Sequence, residues 1–366
     1  MGSGTKRTGV SIVSIQYLRA VAALLVVFYH AIYQIKEYQG LFEGGFWRFG
    51  AAGVDIFFVI SGFIMWVTTA GRSSAPLAFM RNRIVRIVPM YWIVTLGLFA
   101  LSSAMPNAIM IVDTTPGHLA RSLLFIPHPD PAQPERLWPL LLTGWTLNYE
   151  MFFYGIFACA LLLPRRLMLP AVFAVFLGLT LAGFGGLASG PALSFWTESI
   201  VMEFVAGMLV GRLYLDGRLS FSTPISVALV VAGGVLLVVA TPWAAPQTRL
   251  LAWGLPALMI VIGALSLERA SLEGRRPLHG KGVLELLGDA SYSIYLTHIV
   301  TLGALRTFWN MLGLTKPGLS AAVTFIGVAT LVCTAVGVAA YAGLEVPVTR
   351  AAKRLRLGAR RAPALG

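Results

Sequence analysis

Residues 12–33 read IVSIQYLRAVAALLVVFYHAIY, a mainly apolar run that is interrupted by Arg19 and His30. About 20 apolar residues in an α-helix cross the hydrocarbon core of a bilayer, which is roughly 30 Å thick. The run is too long for a secretory signal peptide and has no small-residue cleavage site after it. We therefore predict a transmembrane helix that is retained in the protein.

The rest of the sequence has the same character. Of the 366 residues, 57% are hydrophobic and only 12% are charged, whereas a soluble domain carries about a quarter charged residues. This composition excludes an ordinary water-soluble enzyme and predicts an all-α fold, a polytopic membrane bundle of about ten helices. The predicted spans are 12–33, 51–70, 87–105, 140–163, 168–187, 197–214, 222–240, 250–267, 288–312 and 319–343.

The basic residues predict how this bundle is oriented, because lysine and arginine accumulate on the cytoplasmic side of membrane proteins. Of the 28 Lys and Arg, 20 fall in the N-terminus, alternate loops and the C-terminus, 7 fall in the opposite loops, and Arg19 lies within the first span. We therefore expect both termini in the cytoplasm. The prediction is one transmembrane domain, 1–347, followed by a basic cytoplasmic tail, 348–366. The asymmetry also explains the net charge of +13, so we expect no nucleic-acid partner.

The longest external segment, 106–139, is rich in proline and contains His118 and His128. A binding loop and a proline-stiffened surface loop are both open interpretations of a segment of this length. The two histidines have no further ligands at metal spacing, and Cys159 and Cys333 lie in separate apolar runs. We expect neither a metal site nor a disulfide.

Ionisable residues inside a membrane span are costly and usually face a cavity or a partner, so they are the first candidates for function. Arg19 and His30 are eleven residues apart in the first span, which is close to three helical turns. They therefore share one helix face, roughly 16 Å apart along the axis, with Arg19 nearer the cytoplasm.

The second and fourth spans also carry polar residues. Asp55 begins the second span, in which Ser61 and Gly62 are small enough for close helix contact. Packing and ligand binding are both open interpretations of this small pair. Glu150 lies in the outer part of the fourth span, and His30 also falls in the outer part of the membrane. A hydrogen bond between the two side chains is therefore within reach.

At the cytoplasmic start of the third span, Arg83 and Arg86 are three residues apart and become neighbours once the helix has begun. Arginines at this position anchor a span on the cytoplasmic side. A pair of guanidinium groups also binds phosphate bidentately, so the segment is a candidate phosphate site.

The ninth span places Ser291, Tyr295 and His298 on one helix face. Such a polar stripe needs partners inside the protein, because hydrocarbon cannot form hydrogen bonds with it. The stripe therefore either holds helices together or contacts a substrate. Glu203 in the sixth span is a further buried carboxylate candidate.

Together these segments resemble the acyltransferase-3 family of membrane-bound acyltransferases, and within it the exopolysaccharide-production acetyltransferases. The resemblance extends over nearly the whole chain. It depends on the order and spacing of five blocks: YLRA with His30 in 17–30, GVDIFFVISG at 53–62, RIVR with Pro89 and YW in 83–92, Glu150 with FY at 153–154, and SYSIYLTH at 291–298.

The resemblance implies a fold of ten or more helices and transfer of an acyl group to a hydroxyl of a cell-surface sugar. The usual donor in the family is cytoplasmic acetyl-CoA. Three sets of residues match the family motifs by position: Arg19 and His30 the helix 1 signature, Arg83 and Arg86 the arginine pair, and Phe57, Phe58, Ser61 and Gly62 the aromatic-Ser-Gly motif.

We predict that His30 is the general base, because transfer to a sugar hydroxyl needs a base within hydrogen-bond reach and histidine ionises near neutrality. Glu150 would orient its imidazole or stabilise the imidazolium. A covalent acyl-histidine intermediate is an open alternative. The predicted sets are His30, Glu150 and Arg19 for catalysis, Arg83, Arg86, Ser61 and Gly62 for acyl-CoA binding, and Asp55, Tyr295, His298 and Glu203 for acceptor binding.

Two other function classes stay open from the sequence. A transporter or flippase of a lipid-linked sugar also carries intramembrane Arg, His and Glu, although we find no inverted repeat or paired broken helices. A structural scaffold is disfavoured, because it gives no role to polar residues on so many helices. The expected partners are acyl-CoA, a surface-glycan or lipid-linked sugar acceptor, and the bilayer of the inner (plasma) membrane.

Overall fold

The computed structural model describes residues 12–35, 45–71, 75–106, 112–273, 282–315 and 318–359, with side chains as far as residue 352. These residues are mostly helical and form no β-strand, which confirms the predicted all-α fold. The described α-helices are α1 (Val13–Gln34), α2 (Gly53–Thr68), α3 (Pro76–Ala104), α4 (Pro116–Leu123), α5 (Gly144–Ala160), α6 (Arg165–Phe184), α7 (Pro191–Trp196), α8 (Met202–Leu215), α9 (Thr223–Val239), α10 (Leu255–Glu273), α11 (Val283–Met311), α12 (Leu319–Ala340) and α13 (Val346–Ala359).

Each of the ten predicted spans overlaps one of these helices, while α4, α7 and α13 are additional. Six helical segments in the described part are long and apolar enough to cross a membrane: Val13–Gln34, Phe46–Thr68, Pro76–Ala104, Arg165–Phe184, Leu250–Leu272 and Leu319–Ala352. The protein is therefore a multi-pass membrane protein. Some of the other helices are shorter than the spans predicted for them. The predicted span 197–214, for example, contains a 3-10 turn before α8, so α8 has only 14 residues.

The number of spans and the cytoplasmic termini remain predictions. Ten of the basic residues counted for the orientation lie outside the described residues, namely Lys6, Arg7, Lys36, Arg72, Arg275, Arg276, Lys281, Lys316, Arg360 and Arg361. The beginning of the predicted tail is helical, because it lies in α13, which follows α12 through a short π-helix at Tyr341–Glu345.

Helices α1 and α2 lie at the centre of the bundle. Helix α1 packs against α2, α10, α11 and α12, and α2 packs against α8 and α10. Residues of α1 belong to all three clusters of buried apolar side chains in the described part of the chain. The polar residues of α1 and α2 are therefore held deep within the protein.

The start of α1 is held by a carboxylate from α10. The backbone amides of Val13 and Ser14 donate to the two Glu268 oxygens at 2.8 and 3.0 Å, and the Ser14 hydroxyl donates to the same carboxylate. A carboxylate is stabilised at a helix N-terminus, where unpaired amides and the helix dipole are positive. This contact fixes the level of α1 relative to α10.

Glycines bring α2 and α8 into backbone contact. A Cβ atom on Gly62 would overlap the backbone carbonyl of Phe204, and one on Gly207 would overlap the carbonyl of Val59. Small residues allow this close approach between helices. The structure therefore supports the packing interpretation of Gly62.

In the segment between α3 and α5, residues 112–143 are described, and they fold against α3. The Tyr91 hydroxyl donates to the Ser122 carbonyl at 3.0 Å, and the Trp92 indole donates to the Leu123 carbonyl at 3.0 Å. His118 and His128 lie side by side and are buried, with 2.8 Å between Nδ1 and Nε2. Burial lowers the pKa of both imidazoles, because it disfavours the charged form of each ring.

We predict that Gly62→Ala destabilises the protein, because the added methyl group forces α2 away from α8. Overpacking of a tight core typically costs about 1–3 kcal/mol. Gly97→Ala in α3 is the matched control, because a Cβ atom there has nothing within 4 Å. Thermal unfolding in detergent should show a lower Tm for Gly62→Ala only; equal Tm values would contradict the close helix contact.

Candidate active site

Two cavities lie between the central helices. The first, about 100 Å³ in volume, is lined by Arg19, Arg83 and Arg86 among others, and we call it the arginine cavity. The second, about 290 Å³, is lined by His30, and we call it the histidine cavity. The two cavities share the side chains of Val54 and Tyr295.

The arginine cavity brings together residues from α1, α2, α3, α5 and α11. Its carboxylate is Glu150, which accepts a hydrogen bond from the Ser61 hydroxyl at 3.2 Å and another from the Tyr154 hydroxyl. The structure therefore groups three predicted arginines with three further predicted residues, Ser61, Glu150 and Tyr295, although they come from distant parts of the sequence. Its charges suit an anionic ligand, since three guanidinium groups face one carboxylate.

Two polar atoms in this cavity have no protein partner. Within the described residues, the buried Nε of Arg83 and the buried hydroxyl of Ser291 form no hydrogen bond. Both residues line the arginine cavity. Buried polar groups are normally paired, so atoms of this kind are ready to bind a ligand.

The histidine cavity is aromatic and basic. Its lining includes Tyr29, Trp138, Trp145 and Trp253, together with three arginines. The Tyr29 ring is T-shaped to the imidazole of His30, with 4.7 Å between their centroids. Trp138 belongs to the folded segment between α3 and α5, so this segment helps to form the cavity and is more than a surface loop.

His30 pairs with His298 across α1 and α11. His30 Nδ1 lies 2.9 Å from the Val26 carbonyl and 3.2 Å from Nε2 of His298, while His298 Nδ1 lies 2.6 Å from the Tyr295 carbonyl. A carbonyl only accepts, so each neutral ring carries its proton on Nδ1. His298 Nε2 then accepts from His30, and Nε2 of His30 keeps its lone pair.

The prediction of a hydrogen bond between His30 and Glu150 is wrong. The polar partners of His30 are Val26 and His298, whereas those of Glu150 are Ser61 and Tyr154. Glu150 lines the arginine cavity and His30 lines the histidine cavity. The position of each residue in its predicted span indicated that both lie at the same depth in the membrane. It did not indicate which neighbouring helix each side chain faces.

Three of the predicted acceptor-binding residues lie in neither cavity. His298 is fully buried behind His30, and Asp55 and Glu203 are also fully buried. Gly62, which we predicted to bind acyl-CoA, lines neither cavity and packs against α8. Of the predicted acceptor residues, only Tyr295 lines a cavity.

Asp55 forms a buried ion pair with Arg249. Arg249 Nε and Nη2 donate to the two carboxylate oxygens at 3.0 and 2.8 Å. The guanidinium also lies over the ring of Trp253, 4.9 Å from its centroid, and the buried carboxyl group of Glu203 is a neighbour of this pair. Arg249 lies just before the predicted span 250–267 and is one of the seven basic residues in the opposite loops, so its position in the sequence gives no sign that it is buried.

Residues 12–341 match the acyltransferase-3 family, whose description is an acyltransferase domain. The match covers most of the chain. This protein belongs to the acyltransferase-3 family.

Two curated relatives are similar to this acyltransferase-3 chain. It is 38% identical over 325 residues to the exopolysaccharide production protein ExoZ of Rhizobium meliloti (strain 1021), covering 86% of this chain and 95% of that protein. It is 32% identical over 173 residues to the putative membrane-bound transacylase BcsY of Komagataeibacter xylinus, covering 43% of this chain and 40% of that protein. No solved structure matches the chain.

Membership of the acyltransferase-3 family confirms the predicted resemblance and makes the protein an acyltransferase. The transporter and scaffold interpretations are therefore set aside. An acyltransferase brings together two substrates, an acyl donor and an acceptor, and this chain has two adjoining cavities that differ in chemistry.

We predict that Asp55→Ala and Arg249→Met each destabilise the fold by about 3–5 kcal/mol, because each leaves an unpaired buried charge. The double variant should lose clearly less than the sum of the two. Arg212→Met is the control, because its ion pair with Asp216 is long, 3.8 Å, and about half exposed. Thermal unfolding in detergent measures all four, and additive losses would show that the pair is not coupled.

Proposed function

We propose that this protein is a membrane-embedded O-acyltransferase of the inner (plasma) membrane. It moves an acetyl or related short acyl group from cytoplasmic acyl-CoA to a sugar hydroxyl of an exopolysaccharide or other cell-surface glycan precursor. The observation that carries the proposal is the meeting of an arginine-lined cavity and a histidine-lined cavity at Tyr295. The name of the relative ExoZ supports a glycan acceptor.

The arginine cavity is the proposed donor site. The phosphates of coenzyme A carry several negative charges, and guanidinium groups bind them bidentately. Arg86 is exposed and Arg83 half-buried, so the pair extends from the surface into the cavity. The 20-to-7 division of basic residues supports a cytoplasmic position for this end, with ten spans and both termini inside. Coenzyme A is cytoplasmic, which agrees with this orientation.

The volume of the arginine cavity limits what can enter it. A cavity of about 100 Å³ holds the acyl thioester end of the donor rather than the whole of coenzyme A. The nucleotide would therefore remain outside, near the exposed Arg86. The thioester would point inwards, towards Tyr295 at the boundary with the histidine cavity.

The histidine cavity is the proposed acceptor site. Tyrosine and tryptophan rings offer flat apolar faces and a polar edge, a combination that suits a sugar ring. His30 supplies the base through Nε2, which keeps its lone pair because Nδ1 is held by Val26 and His298. We propose that His298 positions His30 and does not touch the acceptor.

The proposed reaction balances without a further reagent. His30 Nε2 takes the proton of the acceptor hydroxyl while the hydroxyl oxygen attacks the thioester carbonyl carbon. The new C–O bond forms, the C–S bond breaks, and coenzyme A leaves as a thiolate. The imidazolium then returns the proton to the thiolate.

We predict that Arg83→Gln combined with Arg86→Gln weakens acetyl-CoA binding by at least roughly a hundredfold, since charge-assisted hydrogen bonds are worth about 1.5–3 kcal/mol each. Arg81→Gln is the matched control on the same helix, because Arg81 is exposed and does not line the cavity. Calorimetric titration of purified protein measures the affinity. Equal affinity of the double variant and the control would reduce the pair to a topology anchor.

We also predict that acyl-CoA enters from the cytoplasmic side. Inside-out vesicles should therefore transfer label from acetyl-CoA, whereas sealed right-side-out vesicles should not.

We predict that His30→Ala lowers acyl transfer by roughly 10² to 10⁴, the usual contribution of a general base. His298→Leu should lower it less, and His298→Gln should restore part of the loss, because the amide oxygen can accept from His30 Nδ1. Transfer of labelled acetyl to glycan in inside-out vesicles measures the rate, with acetyl-CoA binding and Tm as controls. Near-wild-type transfer by folded His30→Ala would reject His30 as the base, and equal losses for Leu and Gln would reject the positioning role of His298.

A further inference from the structure

Tyr295 forms the boundary between the two cavities. Its hydroxyl lies 2.9 Å from the Thr146 hydroxyl and 3.3 Å from the Thr143 carbonyl. Thr146 lines the arginine cavity, whereas Thr143 lines the histidine cavity. The phenol is therefore held by one residue from each side of the boundary.

The ring of Tyr295 is fixed as well as its hydroxyl. It lies edge to face against Phe57, with 6.1 Å between the ring centroids, and its side chain is almost completely buried. The Tyr295 carbonyl accepts the hydrogen bond that holds His298. A ring held in this way acts as a rigid wall, since moving it breaks contacts to α2 and α5.

We propose that Tyr295, together with Val54, sets the length of the acyl group that the protein transfers. This inference rests on the proposed function, because the thioester must reach the hydroxyl beside His30 and can do so only at the boundary. The carbon chain beyond the carbonyl then lies against the Tyr295 ring and the Val54 methyl groups. Acetyl leaves this wall undisturbed, and each further methylene collides with it.

We expect the protein to discriminate strongly between acyl groups that differ by a single methylene group. One methylene group in a close-fitting apolar pocket typically changes kcat/KM by roughly 10–200-fold. We therefore expect the wild-type protein to prefer acetyl-CoA over propionyl-CoA by at least about tenfold, and butyryl-CoA to be transferred more slowly still.

The test uses inside-out membrane vesicles from cells that make the surface glycan. Labelled acetyl-CoA, propionyl-CoA and butyryl-CoA are supplied separately, and label in the glycan gives the propionyl-to-acetyl rate ratio. Tyr295→Ala should raise this ratio by roughly tenfold or more, and Val54→Ala by a smaller factor. Tyr295→Phe keeps the ring but removes both hydrogen bonds, so it should raise the ratio less than Tyr295→Ala.

Tyr214→Ala and Tyr214→Phe are the matched controls. Tyr214 also lies edge to face against a phenylalanine, Phe63, with 5.4 Å between the centroids, but it lines neither cavity. Both controls should leave the ratio at the wild-type value. An equal rise in Tyr214→Ala would indicate general loosening of the bundle and would overturn the proposal.

The outcomes separate this inference from the proposed function. If none of the three acyl-CoA donors labels the glycan through the wild-type protein, the proposed function fails. If acetyl is transferred but the wild-type protein does not discriminate, or the ratio is unchanged in Tyr295→Phe and Val54→Ala, only the length-setting role fails. These two conservative variants decide the matter if Tyr295→Ala does not fold.

Discussion

The fold depends on one constraint: hydrocarbon cannot form hydrogen bonds with a polar side chain, so each polar group within the membrane must find a partner in the protein or face a cavity. Asp55 meets Arg249, and Ser61 and Tyr154 meet Glu150. Each of these contacts joins residues of the central region, and together they fix which faces of the helices turn inwards. Among the buried polar atoms that have no partner within the described residues, Arg83 Nε and the hydroxyls of Thr143 and Ser291 belong to residues of a cavity wall. Pairing and function are therefore two outcomes of the same constraint.

The two cavities differ in their lining because different elements of the fold supply their side chains. The arginine cavity takes its cations from α1 and α3, while the histidine cavity is lined by His30, several aromatic rings and three arginines, of which Arg249 is paired with Asp55. Helix α1 contributes to both, since Arg19 and His30 lie on one face but at different depths. One helix thus connects a region suited to phosphate with a region suited to a sugar. A short boundary at Tyr295 and Val54 keeps these regions apart.

The sequence was sufficient for the helical fold and for much of the arginine cavity. Arg83 and Arg86 could be predicted because their spacing on one helix is a local property, and the shared face of Arg19 and His30 followed from helical periodicity. Contacts between helices could not be predicted in the same way. Glu150 was assigned to the wrong partner, and Arg249 was taken for a loop residue, because rotation and tilt of each helix depend on packing that includes close contacts such as Gly62 with Phe204. Nothing in the sequence indicated that Glu268 accepts hydrogen bonds from the start of α1, because this contact depends on how α10 packs against α1.

The two contacts that fix α1 have a consequence for biosynthesis. The start of α1 is held by a residue 255 positions later in the chain, and His30 is held by a residue 268 positions later. A membrane protein is inserted from its N-terminus as it is translated, so α1 enters the bilayer long before either contact can form. The candidate active site therefore cannot exist until α11 has been inserted. A chain that has been translated only as far as α10 therefore contains His30 without the side chain that holds its imidazole.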